Sequence, residues 1–452
     1  MAYVLGTFPA LTETFVLGEI EALRKAGVRV ELFALHRPGS ASDRSHGEDL
    51  AARTYYAPPL LSRETWRTNL AALRRAPGRY LGTLAGVVMR TALNPVHCLK
   101  SLVVFPAAAA FAERMRPRGV THVHAHWASY PATAAYIVSR LTGLPYSITA
   151  HVYDATLIRS LMREKLRRAR FVVTCNRWTA ERLRRMAPRT ASKVFVNYHG
   201  ASLDRFTPNG HVRRAGETPT ILCVGSLYPR KGHPVLIAAC RLLRDRGRRF
   251  RCVIVGEGPE RGRLEGLIRK HRLGEQIELV GAQTHAQVLE RYRTADLFAL
   301  ACMTDYLGWQ EIASDPVLLL EVGLAIPFRP LTDGIPNVIA EAMAMELPVV
   351  STTVAGVPEL VEDGRSGLLV PEQQPAALAD AIARLLDDPV LARAMGRHGR
   401  ARVLDVFDRS RNVRELLDIF ARFAGPVALP RRSPLARVPR PAPAPRPSIA
   451  HD

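Results

Sequence analysis

The feature that most limits what this chain can fold into is a regular exchange of short apolar runs for helical stretches. In the second half, TILCVGS gives way to a helical pattern from His233, and CVIVGEG to another from Glu260. IELVG, DLFALAC, PVVST and GLLV continue the series. Short, continuously apolar runs suit strands buried on both faces, and strands alternating with helices build parallel sheets through right-handed crossovers. The first half repeats the theme: YVLGTF, a helix over 16–26, VRVELFAL, then HVHAHW, a helix over 132–142, YSITAH, FVVTCN and KVFVNY. Between its units, residues 62–118 read as helical and basic. At 452 residues the chain exceeds one ordinary core. The expected fold class is α/β, with two facing Rossmann-like domains and a cleft between them. The expected divisions are a first domain over 1–202, a breaker-rich linker over 203–219 and a second domain over 220–404. A helix over 405–424 returns toward the first domain, and a Pro/Arg-rich tail over 425–452 lacks apolar periodicity and is expected to be disordered or extended.

Composition narrows the function classes. The net charge of +22 first suggests nucleic acid, but the arginines are dispersed along helices, no nucleic-acid motif accompanies them, and aromatic content is 7%. Anionic substrates or an anionic membrane surface account for the charge at least as well, and arginine-rich composition alone is the plain alternative. The six cysteines are scattered without a C-x-x-C pair, as in a reduced cytosolic protein. The start, MAYVLGTFPALTETF, has no basic segment before an apolar one, so no signal peptide is expected. No stretch is expected to cross a bilayer: 101–112 falls short of the ~18–20 apolar residues required and carries Pro106. A cytoplasmic location is the expectation.

The chemistry concentrates in DGIPNVIAEAMAMELPVVSTTVAGVPELVEDGRSGLLV. Asp333 and Gly334 form a turn, Pro336 suits the first turn of a helix, and Asn337 continues it. The free N–H groups of such a helix start suit a diphosphate. Asp333 before the helix and Glu341 within it can accept hydrogen bonds from hydroxyls at opposite ends of one bound molecule. Two acids alone are more often the ordinary acids of a helix start.

This stretch resembles the signature of retaining glycosyltransferases of family 4, E-x7-E followed by G-x-P-V-V-x-T and G-x-x-E. Asp333 and Glu341 stand at the family spacing, and LPVVST and GVPELVEDGRSGLLV match the two later parts of that signature. VGSLYPRKG, VGEGPERGRLE and ADLFALAC extend the likeness upstream, so it covers nearly the whole chain. The resemblance implies the GT-B fold and transfer of a sugar from a nucleoside diphosphate donor to a hydroxyl, with retention and without a metal or other cofactor. It implies that Lys231 neutralises the diphosphate as leaving-group charge develops, within a donor site spanning Gly225, Ser226, Arg230, Lys231, Gly334, Ile335, Pro336 and Asn337. Glu341 would hold the ribose, while Asp333 and His151 would address the sugar. Two positions depart from the pattern: Asp333 replaces the first glutamate, and Ser226 stands where an arginine is common. Arg230 is the substitute available for the latter.

On the first domain, Gly6 falls in the expected acceptor-side loop, where a small residue admits substrate, although it equally suits an ordinary turn. His151 ends a strand and points into the crevice where α/β sheets bind ligands. His126 and His124 lie one strand earlier; H-x-H invites a metal reading, but the sequence shows no third ligand at a sensible spacing. Glu257, in V-G-E-G-P, borders the expected nucleotide site on a weak motif. The segment 303–332 reads as an insertion, either a lid or acceptor contact or else decoration. FPALTETFVLGEIEAL and AHWASYPATAA resemble exopolysaccharide and colanic-acid-type enzymes, implying a lipid-linked or polysaccharide acceptor and inner-leaflet contact through the basic segment 63–118. A sugar-nucleotide 2-epimerase of the same fold and a non-catalytic nucleotide-binding scaffold are the competing readings.

Overall fold

The apolar runs become the strands of two sheets, and the helical stretches cover them. The computed structural model describes residues 1–10, 14–38, 48–156, 160–201, 203–211, 216–307 and 329–424. The first sheet contains β1 (Ala2–Thr7), β2 (Glu31–His36), β3 (Thr54–Tyr56), β4 (Val123–His126), β5 (Tyr146–Ala150), β6 (Val172–Thr174) and β7 (Val194–Val196). Their order is β3-β2-β1-β4-β5-β6-β7, and every pairing is parallel. The second sheet contains β8 (Thr220–Val224), β9 (Arg251–Val255), β10 (Ile277–Gly281) and β11 (Leu297–Ala299). After β12 (Asp305–Leu307) and β13 (Arg329–Leu331), it resumes with β14 (Val349–Thr352) and β15 (Leu368–Val370). Its order is β10-β9-β8-β11-β14-β15, again all parallel. In both sheets the order reverses beside the first strand of the unit, which opens a crevice at the carboxyl ends of the strands.

The expected α/β class of two Rossmann-like domains is therefore the observed one. Sequence reading did not register β3, a short edge strand in TYYAPP. The ends of the expected insertion pair as an antiparallel hairpin, β12 with β13; residues 308–328 lie outside the described residues, as does the expected tail 425–452. Cys223, Cys240, Cys252 and Cys302 are buried free thiols, in keeping with the reduced, structural reading.

One expectation is corrected. Pro106 does not interrupt the apolar segment: helix Pro95–Met115 runs through it. With the short turn after it, Pro95–Arg118 is 24 residues and holds an 18-residue window of mean hydropathy 1.5, long and apolar enough by length and composition to cross a membrane. Half of its most apolar window is instead buried within the protein, with Ala108, Phe111, Ala112 and Met115 in the first-domain core. Burial of that face offsets the roughly 3 kcal/mol that an interior proline costs a helix.

The chain returns to its first domain at the end. Helix Arg409–Ala424 lays Val413, Leu416 and Phe420 against Tyr3, Ile20 and Phe171. The return is pinned where it meets the outgoing chain: Ala201 N–H donates to the Phe407 carbonyl at 3.0 Å. A Cβ on Gly200, at φ +66°, would lie 2.7 Å from that same oxygen.

The first-domain core contains histidines. His122 and His124 both reach Ser147 Oγ at 2.7 Å, and His124 also reaches Thr149 Oγ1 at 2.9 Å. Burial pushes both imidazoles down to about 3. In the unfolded chain they titrate near 6.5, so the stability they protect is present above that pH and is lost as pH falls below it. Each histidine kept neutral adds about 1.4 kcal/mol of lost stability per pH unit. The expected result is a urea midpoint that drops between pH 7 and pH 5.5, with a shallower drop in His124→Gln.

Candidate functional site

The two crevices face one another across a cavity of about 1510 Å³. Its walls come from both domains: Gly6, Phe15, Trp127, His151 and His199 on one side, Arg230, Lys231, Asp333, Gly334, Ile335 and Asn337 on the other. The second-domain wall depends on a tight turn after β8. Gly232 adopts φ +68°, and a Cβ there would stand 1.7 Å from the Ala301 carbonyl oxygen. A second turn presses from behind, since a Cβ on Gly256 would lie 1.9 Å from the Gly225 carbonyl oxygen. These contacts hold residues 229–231 over the carboxyl edge of the sheet.

Lys231 Nζ lies 2.9 Å from Asp333 Oδ2, and Arg230 Nε donates to Asp333 Oδ1 at 3.3 Å. Arg230 and Lys231, although adjacent in sequence, thus point to one spot, as a substitute for the missing arginine at Ser226 requires. Burial alone would raise the Asp333 carboxyl; Lys231 and Arg230 outweigh it and hold it below the ordinary range. Burial would likewise lower the Lys231 ammonium, and Asp333 outweighs it. Asp333 is therefore the internal counterion of two cations, and their positive field faces the cavity. An anionic ligand there exchanges one neutralising partner for another.

Helix Asn337–Ala344 begins beside this group. Pro336 stands one position earlier than its expected place in the first turn: it is the N-cap, in extended conformation, and no side chain caps the helix. Glu341 does not line the cavity. Its Oε2 accepts from Tyr292 Oη at 3.1 Å, and burial raises its carboxyl. Gly225 and Ser226 also lie behind the cavity wall, with the Ser226 carbonyl 3.2 Å from His233 Nε2. Glu257 is exposed and paired with Arg261, away from the cavity. Gly6 is corrected in part: it lies within β1 rather than in the loop after it, but it does line the cavity.

On the opposite wall, His151 follows β5 and stacks on Trp127, ring centroids 4.0 Å apart. Trp127 holds φ 82°, costly for a bulky residue and maintained by its packing. His126 is fully buried behind His151, and His124 is a core residue. Sequence reading missed two neighbours. Glu19, from helix Thr14–Lys25, accepts from Tyr3 Oη at 2.9 Å and lies 3.8 Å from His199 Nδ1. Burial opposes charge on His199, but Cys175 and Glu19 outweigh it and raise the imidazole to about 9. His199 follows β7 just as His151 follows β5, so the same strand-end rule points to it within KVFVNYHG. Glu19, one helical residue among many, gave no such signal.

Gly232→Ala tests whether the turn positions the cations. The added methyl forces the loop from Ala301, so the expected outcome is at least a ~10-fold loss of anion affinity with Arg230 and Lys231 still present. Titration with inorganic pyrophosphate reads it directly.

Comparison with known proteins agrees with this geometry. Residues 209–402 match the family described as glycosyl transferases group 1, and residues 75–205 match glycosyltransferase family 4. The putative colanic acid biosynthesis glycosyltransferase WcaL of Escherichia coli is 30% identical over 93% of this chain and 98% of its own. The amylovoran biosynthesis glycosyltransferase AmsK of Erwinia amylovora is 28% identical over 92% of this chain and 98% of its own. Among solved structures, a Rickettsia africae glycosyltransferase superposes with TM-score 0.66 at 19% identity, covering 94% of this chain and 99% of its own. Anabaena HepE in complex with UDP gives TM-score 0.64 at 15% identity, covering 93% and 100%. The chain belongs to the family 4 glycosyltransferases, alongside relatives that serve exopolysaccharide biosynthesis.

Proposed function

We propose that this glycosyltransferase moves a sugar, with retention of configuration, from a nucleoside diphosphate to a hydroxyl of a lipid-linked saccharide. The observation that carries the reading is the convergence of Arg230 and Lys231 on one point of the cavity, opposite His151. Two cations and the start of helix Asn337–Ala344 offer a diphosphate the charge that a divalent ion supplies elsewhere. Glu341, about 6 Å along the helix from Asn337 and behind the cavity lining, would hold the ribose only by exchanging its hydrogen bond with Tyr292. Asp333, released from one of its cations by the diphosphate, and His151 address the sugar. The domains closing on the donor exclude water and suppress hydrolysis.

The acceptor side of the cavity runs out to an apolar surface. Leu60, Leu99 and Val103 line its edge, and the adjoining stretch exposes Leu61 (85%) and Trp66 (70%) and carries the exposed Arg63, Arg67, Arg74 and Arg79. Apolar side chains among arginines suit the interface of an anionic bilayer, which would place the enzyme peripherally on the inner leaflet. Vesicles containing phosphatidylglycerol are expected to sediment the wild type. Leu61→Glu with Trp66→Glu is expected to reduce binding ~10-fold or more, at unchanged thermal midpoint.

Donor chemistry is tested by binding and slow hydrolysis across UDP-, GDP- and ADP-sugars with no divalent cation added. Selective binding with slow hydrolysis is expected, both lost in Lys231→Ala and weakened in Glu341→Ala. Conversion of the donor sugar without acceptor would identify an epimerase, and binding with no turnover on any acceptor a scaffold. Wild type and variants that bind no donor alike would overturn the site.

A further inference from the structure

Two loops carry much of the first-domain wall of the cleft. One follows β4 and brings Trp127, Ser129 and Tyr130 to the cavity; the other follows β5 and brings His151, Val152 and Tyr153. Beneath both lies a charge that the proposed reaction does not use. Lys165, on helix Met162–Arg168, is 0% exposed, a degree of burial that lysine almost never reaches without partners. Its Nζ donates to the Ala128 carbonyl at 2.5 Å, the Ser129 carbonyl at 3.1 Å and Thr133 Oγ1 at 3.3 Å, which occupies all three N–H groups. Ala128 and Ser129 are the two residues that follow Trp127. The Ser129 carbonyl also accepts the Thr133 N–H at 3.2 Å. Among the described residues no backbone N–H reaches the buried Ala128 carbonyl, so the ammonium is its donor.

Asp154 answers Lys165 from the second loop. It is equally buried, and its Oδ2 accepts the His151 N–H at 2.9 Å. Burial pulls the Lys165 ammonium down to about 7, and the Asp154 carboxylate opposes that fall. One ammonium therefore acts on the backbone next to both members of the Trp127–His151 stack, whose ring centroids lie 4.0 Å apart. Trp127 holds φ 82°, a conformation that a bulky residue keeps only where its surroundings fix it. Packing by itself does not call for a lysine here, since an apolar side chain of similar volume carries no desolvation cost. What an apolar side chain lacks is a donor for Ala128 and a counter-charge for Asp154.

We infer that Lys165 is a positioning residue for the sugar-facing wall, setting the Trp127–His151 stack by anchoring the Ala128 and Ser129 carbonyls while it balances Asp154. Lys165 does not itself line the cavity, so it acts through the two loops. The inference rests on the proposed role of His151 toward the sugar, but its first readout needs no donor.

Two variants separate positioning from charge balance. Lys165→Met removes the donor and the charge together. Lys165→Met with Asp154→Asn leaves no unbalanced charge and keeps an acceptor for the His151 N–H, so it carries the test if the single variant fails to fold. Both are compared with wild type in the full-length chain at pH 6, where Lys165 is charged, with folding followed by circular dichroism. The emission of Trp127 is read as the difference between each protein and the same protein carrying Trp127→Phe. In both variants it is expected to shift to longer wavelength and to be quenched more readily by acrylamide. Slow donor hydrolysis should fall ~10–100-fold, while donor affinity, held by Arg230 and Lys231 on the other domain, stays within about 2-fold. A folded double variant with wild-type Trp127 emission overturns the inference and leaves Lys165 a counterion alone. A displaced Trp127 with hydrolysis at the wild-type rate overturns it as well. Wild type that binds no donor would sink the proposed function, and the Trp127 signal would still decide whether Lys165 sets the wall.

Discussion

The two domains meet closely beside the cavity at Gly334 and Gly356, where an added side chain would crowd Asn176 of the first domain. A Cβ on Gly334 would lie 2.8 Å from Asn176 Nδ2, and one on Gly356 would lie 3.1 Å from Asn176 Cβ. At this contact the second domain supplies an acid to the first: Glu359 accepts the Arg177 N–H at 2.7 Å and the Trp178 N–H at 3.0 Å, opening helix Arg177–Met186. Asn176 Oδ1 accepts a third N–H of that helix, from Thr179, at 2.7 Å. A carboxylate facing a helix start gains both hydrogen bonds and a favourable dipole. The cap therefore works only while the domains are together, which couples the order of that helix to the width of the cleft.

Within that frame the site is an arrangement of compensated charge. Lys231, Arg230 and Asp333 satisfy one another in a partly buried place where an isolated ion would be costly. Such a trio is stable without ligand and still responsive to one, because an incoming anion takes over part of the carboxylate's role. The opposite wall follows the same rule with different groups. Burial would raise the Glu19 carboxyl, but His126 and His199 outweigh it and hold it well below the ordinary range. Cations on one wall and an anion behind the histidines of the other give the cleft an electrostatic direction across its width.

Much of this was legible in the chain. Strands buried on both faces are written as continuous apolar runs, so nearly every one could be located without coordinates; β3 escaped because buried Thr54 and half-buried Tyr55 and Tyr56, at a sheet edge, carry no periodicity. Lys231, Asp333 and the helix start at Asn337 were legible because their chemistry is local, carried by one turn each. Glu341 and Ser226 were also marked, yet both lie off the cavity wall, since spacing along a helix or turn does not say which face meets the cleft.

What the sequence determined by itself was the class of fold and the local devices: which segments are strands or helices, where the turn before a helix falls, where a helix exposes its N–H groups. These depend on near neighbours in the chain, whose relations a sequence states directly. Tertiary structure alone decided that Arg230 and Lys231 share one carboxylate, and that Glu359 caps a helix of the other domain. It also brought His199 and Glu19 to His126 and His151. Each of these is a meeting of side chains from distant strand ends or opposite domains, fixed by the parallel order of the sheets and the angle between them. No spacing along the chain encodes that angle.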